Sequence, residues 1–91
     1  MSNKGLKRLL VQNYGEKCMY CGKHLDLKKC EYHHIKPRSA GGENTEANGA
    51  LVHKECHKQI HKYKYGTPEY YQTIIDILKN KINWKKYWLR F

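Results

Sequence analysis

Apolar residues recur at two different periods along the chain, and the switch between them outlines its elements. Leu6, Leu9, Leu10 and Tyr14 fall at helical spacing and Gly15 follows as a stop, so the pattern predicts a short helix over residues 4–14. Residues 30–35 (CEYHHI) are rich in aromatic and β-branched types and read as a strand. Pro37 and Gly41-Gly42 interrupt regular structure after it, and the polar, glycine-rich stretch 38–49 reads as a loop. Ala50-Leu51-Val52 suggests a brief second strand, and a helix is expected from His53 to about Tyr65. Thr67-Pro68-Glu69 is a helix start: a capping hydroxyl, a proline in the first turn and an acid at the positive end of the dipole. Beyond it, Tyr71, Ile74, Ile75, Leu78 and Ile82 follow the spacing of one amphipathic face, expected to lie on the core. Helices and two short strands in this order place the chain in the α+β class.

With 91 residues the chain has material for one domain, 1–91. No apolar run approaches the ~20 residues of a membrane-spanning helix, and the start of the chain lacks the features of a signal peptide. The expected setting is therefore the cytoplasm, a reducing compartment, away from membranes. Charge sharpens the picture further. Eighteen Lys and Arg against eight Asp and Glu leave a formal charge of +10, which points to a polyanionic partner. The last fifteen residues carry Lys79, Lys81, Lys85, Lys86 and Arg90 and no acid. Trp84, Tyr87, Trp88 and Phe91 are interleaved with them. That segment, with Lys85 and Lys86 as its candidate phosphate contacts, reads either as an arm for a nucleic-acid backbone or as aromatic cover for a small core.

The cysteines and histidines give the chemistry. Four Cys could form two disulfides, but that would need an oxidising setting. Cys18-x-x-Cys21 and His53-x-x-Cys56 instead supply three thiolates and one imidazole, a common structural zinc shell. In so small a chain a zinc ion would contribute much of the folding free energy. Cys30 is left over and reads as a small buried apolar residue, and His24 as a surface residue. His57 and His61 are four residues apart on the predicted helix and share a face, about a quarter-turn from His53 and Cys56. One helix could therefore serve two metal ions, the second facing the strand that carries His33 and His34. A regular strand would point His33 and His34 to opposite sides, so both can serve one site only if the strand twists or ends there.

Taken together, CMYCG, HHIKPRSAGG, Asn48 and LVHKECHKQIH resemble the HNH endonucleases, the ββα-metal nucleases, from about Tyr14 to Tyr65. His53 stands where many members carry Cys. This variant is similar to HNH modules attached to group II intron reverse transcriptases. The resemblance implies a ββα-metal core stapled by structural zinc, flanked here by an N-terminal helix and a C-terminal amphipathic helix. It implies that His34 is the general base, that His33 and His57 bind a catalytic divalent metal (Mg2+, Mn2+, Ni2+ or Zn2+), and that His61 is a third ligand found in one branch. Asn48 would orient the base by tying the loop to the strand. Lys36 and Arg38, next to the dyad, are candidates for phosphate contact or solvated loop charges. The implied activity is hydrolysis of phosphodiester bonds in DNA, most simply as nicking of double-stranded DNA with low sequence specificity. A homodimer or a larger nucleoprotein partner is compatible with this. A non-catalytic, zinc-stabilised nucleic-acid-binding or adaptor module would explain the charge and the cysteines, but not four histidines drawn together.

Overall fold

The computed structural model describes residues 3–84. Helix α1 (Asn3–Tyr14) leads through a knuckle at Cys18–Cys21 to strand β1 (Cys30–His34), which is followed by a 3₁₀ turn at Arg38–Ala40. Strand β2 (Gly49–His53), helix α2 (Lys54–Ile60) and helix α3 (Pro68–Trp84) complete the chain. The two strands pair antiparallel, with Cys30 opposite His53 and His34 opposite Gly49. Two strands alone are marginal in water, so helices must cover them. Leu6, Leu10 and Tyr14 of α1, Leu51 and Val52 of β2, Ile60 of α2 and Ile77 of α3 meet in one buried cluster with Met19 and Leu25.

Antiparallel pairing sorts the side chains. Glu31 and His33 share one face of β1, the face that meets α2, while Cys30, Tyr32 and His34 share the other. Tyr32 lays its ring across the place where Gly49 has no side chain, and its hydroxyl donates to the carbonyl of Thr45 at 2.9 Å. A Cβ at Gly49 would meet that ring at 2.5 Å.

The sequence expectations are revised at three places. The helix expected from His53 to Tyr65 spans only Lys54–Ile60; His53 is the last residue of β2, extended at φ −63° and ψ 154°, and the strand passes into the helix without a loop. Ile60 plugs the core, and the chain then turns away to start α3, which ends α2 although no Gly or Pro does so. The loop after β1 contains the 3₁₀ turn, closed by Gly41 at φ +91°, a left-handed conformation suited to glycine. Helix α3 is capped by Thr67 as its sequence suggests, its hydroxyl accepting from Tyr70 N.

Its buried face differs from the expected one. Tyr70, Thr73, Ile77 and Lys81 are buried, Ile74 and Trp84 are partly buried, and Tyr71, Ile75, Leu78 and Ile82 remain 41–61% exposed. The reason is polar. The core side of α3 must satisfy backbone carbonyls of the elements beneath it. Tyr70 Oη donates to Ile35 O at 2.9 Å, Asn80 Nδ2 to Met19 O at 2.7 Å, and Lys81 Nζ to the carbonyls of Glu46, Ala47 and Gly49 at 2.7, 3.3 and 2.8 Å. Among the described residues no helix is long and apolar enough to cross a membrane.

Overpacking at the Tyr32–Gly49 contact is expected to cost about 1–3 kcal/mol in a Gly49→Ala variant. Urea unfolding of the variant beside the wild type measures it, and an unchanged midpoint would show that the ring moves aside freely.

Candidate active site

The first cluster joins the knuckle to the β2–α2 junction. Gly22 N donates to Cys18 O and Cys18 N to Lys23 O, both at 2.8 Å, which folds the two cysteines toward one point. Met19 N donates to Leu51 O at 2.9 Å and fastens the knuckle to β2. His53 Nδ1 lies 3.4 Å from Cys21 Sγ and 3.7 Å from Cys56 Sγ, and all four ligand atoms of Cys18, Cys21, His53 and Cys56 lie within 4.8 Å of one another. A sulfur and a nitrogen on one tetrahedral zinc ion stand roughly 3.6 Å apart, so the group can hold zinc. His53 Nε2 donates to the carbonyl of His24 at 2.8 Å, which leaves Nδ1 unprotonated and turned to the sulfurs. His24 itself is exposed, so its part here is played by its backbone.

The thiols report the demand for a cation. Burial raises Cys18, but the backbone N–H groups of Cys21, His53 and Tyr20 outweigh it and bring Cys18 below the ordinary thiol range. Burial, with Cys18 and Cys21 alongside, pushes Cys56 up to about 12. Three thiolates cannot share so small a space without positive charge among them. Cys30 stands apart, buried, with its thiol on Leu27 O.

The second cluster joins β1 to α2 and the residue that closes it. His57 Nε2 and His61 Nε2 are 2.9 Å apart, and the ring of His33 stands 5.1 Å from His57 and 5.5 Å from His61, centroid to centroid. Their ligand atoms also lie within 4.8 Å of one another. Two nitrogens bound at a right angle to one ion would be about 2.9 Å apart. His57 Nδ1 donates to Glu31 Oε1 at 2.9 Å, so its Nε2 carries the lone pair. That bond holds Glu31 below the usual carboxylate range. His33 is 1% exposed, and burial together with His57, His61 and His34 lowers it to about 3, so it is neutral at any working pH. Its Nδ1 is buried and meets no hydrogen-bond partner. An orphaned buried nitrogen on a ring packed against His57 and His61, whose Nε2 atoms stand 2.9 Å apart, belongs to a donor set that could hold a divalent cation. Burial, then His57, lowers His61.

A cleft of about 270 Å3 is lined by Tyr32, His33, His34, Pro37, Arg38, His57 and His61. It takes side chains from both faces of β1 because it lies where the strand ends and the chain bends toward Pro37, so His33 and His34 reach one space although they alternate. His34 Nε2 donates to Asn44 Oδ1 at 2.7 Å, and its ring stands edge-on to Tyr32 at 4.8 Å. Asn44 was not singled out by sequence reasoning; a polar residue in a polar loop gives no signal.

Asn48 lies one step away from His34. Its Oδ1 accepts from Lys36 N at 2.8 Å and its Nδ2 donates to the carbonyls of Lys36 and Glu43 at 3.0 and 2.9 Å, which ties the loop to the end of β1. A Cβ at Gly42 would meet the Lys36 carbonyl oxygen at 1.7 Å, so glycine allows the loop to close there. Arg38 joins the cleft, whereas Lys36 lines a neighbouring cavity with Gly41, Gly42, Thr45 and Asn48. Lys85 and Lys86 lie outside the described residues, as do Tyr87, Trp88, Arg90 and Phe91.

With a strand pair, a following helix and two such clusters in place, the architecture is that of a ββα-metal fold. The model of the HNH endonuclease family matches residues 18–63, half of the chain, and the chain belongs to that family. A comparison with curated proteins finds no match.

Stripping metal with a strong chelator is expected to abolish cooperative thermal unfolding, because structural zinc contributes on the order of 10 kcal/mol to folding. Far-UV circular dichroism and melting measure the loss, and Cys56→Ser should reproduce it. A melting curve unaltered by chelation would remove the Cys3His cluster from the account of the fold.

Proposed function

We propose that the chain is a metal-dependent endonuclease that hydrolyses phosphodiester bonds in double-stranded DNA, with low sequence specificity and one strand cut per encounter. The observation that carries this reading is the convergence of His33, His57 and His61 beside His34 in one cleft, with the His33 Nδ1 left without a partner. His33, His57 and His61 would hold one divalent cation. Bound there, the cation supplies charge stabilisation for the pentavalent phosphate and the departing 3′ oxygen.

His34 acts as general base. Asn44 Oδ1 can only accept a hydrogen bond, so His34 Nε2 bears the hydrogen and Nδ1 is left to take the proton of the attacking water. Asn48 acts through the backbone, holding Lys36 so that the end of β1 keeps its place beside the loop. Arg38, exposed at the rim, offers a fork of donors to the phosphate, and Lys36 a point charge next to it. The net charge of +10 holds the DNA backbone without reading bases.

A His34→Ala variant should lose nicking of supercoiled plasmid by roughly 100-fold or more while still binding DNA. Agarose gels resolving supercoiled, relaxed and linear forms measure the rate, and a gel-shift series confirms binding. Wild-type rates from the variant would refute the assignment. Metal content separates this reading from a binding or adaptor module: two ions per chain accord with the enzyme, one with the module.

Binding to DNA should weaken steeply between 50 and 200 mM salt, the range over which counterion release is large. Fluorescence anisotropy with a labelled duplex measures it, and a flat salt response would exclude backbone charge as the source of affinity.

A further inference from the structure

We infer that Tyr70, on α3 and outside the family match, is a positioning residue of the second metal centre: its hydroxyl fixes the hydrogen of His33 on Nε2 and so presents Nδ1 to the cation. This rests on the reading of His33, His57 and His61 as a metal centre.

Tyr70 Oη lies 2.9 Å from Ile35 O and 3.2 Å from His33 Nε2, in a buried setting. A phenol has one hydrogen to give. If it went to His33, the oxygen of Tyr70 would face the carbonyl oxygen of Ile35 at 2.9 Å with nothing between them. His33 would then carry its own hydrogen on Nδ1, buried with no acceptor. Both faults vanish in the other arrangement. Tyr70 donates to Ile35 O, His33 Nε2 donates to Tyr70 Oη, and Nδ1 keeps its lone pair. Leaving a buried polar atom unpaired is costly, so the two faults together decide the tautomer.

The same device serves two other candidate ligands. Glu31 takes the Nδ1 hydrogen of His57, and the carbonyl of His24 takes the Nε2 hydrogen of His53. Those acceptors lie within residues 18–63, whereas the acceptor for His33 comes from a helix that begins at Pro68. Helix α3 is therefore a working part of the metal centre as well as cover for the core.

The test uses the full-length chain loaded with zinc at the Cys3His cluster, as wild type and as Tyr70→Phe, which keeps the ring and removes only the hydroxyl. Long-range 1H–15N correlation spectra of the wild type before addition of a second ion should show His33 as the Nε2–H tautomer. In Tyr70→Phe the His33 signals should shift toward a mixture of tautomers. Titration with Co2+, followed by visible absorption and calorimetry, should show the second ion bound 10- to 100-fold more weakly by the variant, the range for loss of a group that orients a metal ligand. A merely structural role would lower the melting temperature but leave the tautomer unchanged.

A wild-type Nδ1–H tautomer would overturn the inference without recourse to the variant. So would Co2+ affinities equal within about threefold. If the wild type bound no second ion while His33→Ala behaved identically, the metal-centre reading would fall, and this inference with it. A second ion lost in His33→Ala but held equally by wild type and Tyr70→Phe would overturn this inference alone.

Discussion

An imidazole placed between a buried metal site and the protein must give up its hydrogen to something fixed. Three candidate ligands, His53, His57 and His33, meet that constraint here, and His34 beside the second cluster is tied down in the same way. His53 leans on a carbonyl at the end of the knuckle, His57 on a carboxylate of β1, His34 on a loop amide and His33 on a phenol of α3. Each acceptor leaves one lone pair per ring. The burial of His33 makes the constraint severe, since a neutral imidazole in that setting cannot borrow water as a partner. Much of the packing can be read as the means of bringing those acceptors into place. Helix α3 lies over the end of β1 to deliver Tyr70, and its Lys81 and Asn80 anchor it to the loop and to the knuckle.

The ligand clusters were legible in the sequence because thiols and imidazoles at short spacing have few uses. Cys18, Cys21, His53 and Cys56 come together, as do His33, His57 and His61. The α+β class and the approximate places of the strands were legible too, from period and composition. What escaped is what gives no pattern. Asn44 is one polar residue among many in a turn-rich stretch. Tyr70 sits between a helix cap and an apolar stripe and belongs visibly to neither.

The apolar stripe itself misled, for a physical reason. Helical periodicity finds the face with the most hydrophobic residues, whereas α3 is held by the face that can answer exposed carbonyls. A lysine is an unlikely core residue until three carbonyl oxygens converge on its ammonium. The shortened α2 has the same kind of cause. Its end is imposed by Ile60 in the core and by the path back to α3, and neither is local.

The passage from β2 into α2 with no intervening residue has a consequence for how this chain can vary in length. His53, Cys56 and His57 lie on one stiff unit, and the two clusters are set in phase by it. A single residue added between Cys56 and His57 would rotate everything beyond it by about 100° and carry His57 and His61 off His33 while the Cys3His cluster stayed whole. The turn at 62–66 holds none of the residues of either cluster and can absorb insertions, so divergence in length is channelled to it. Five residues from His53 to His57 thus act as a gauge block between the two clusters, and a relative with a different count there would have to build its second cluster from other side chains.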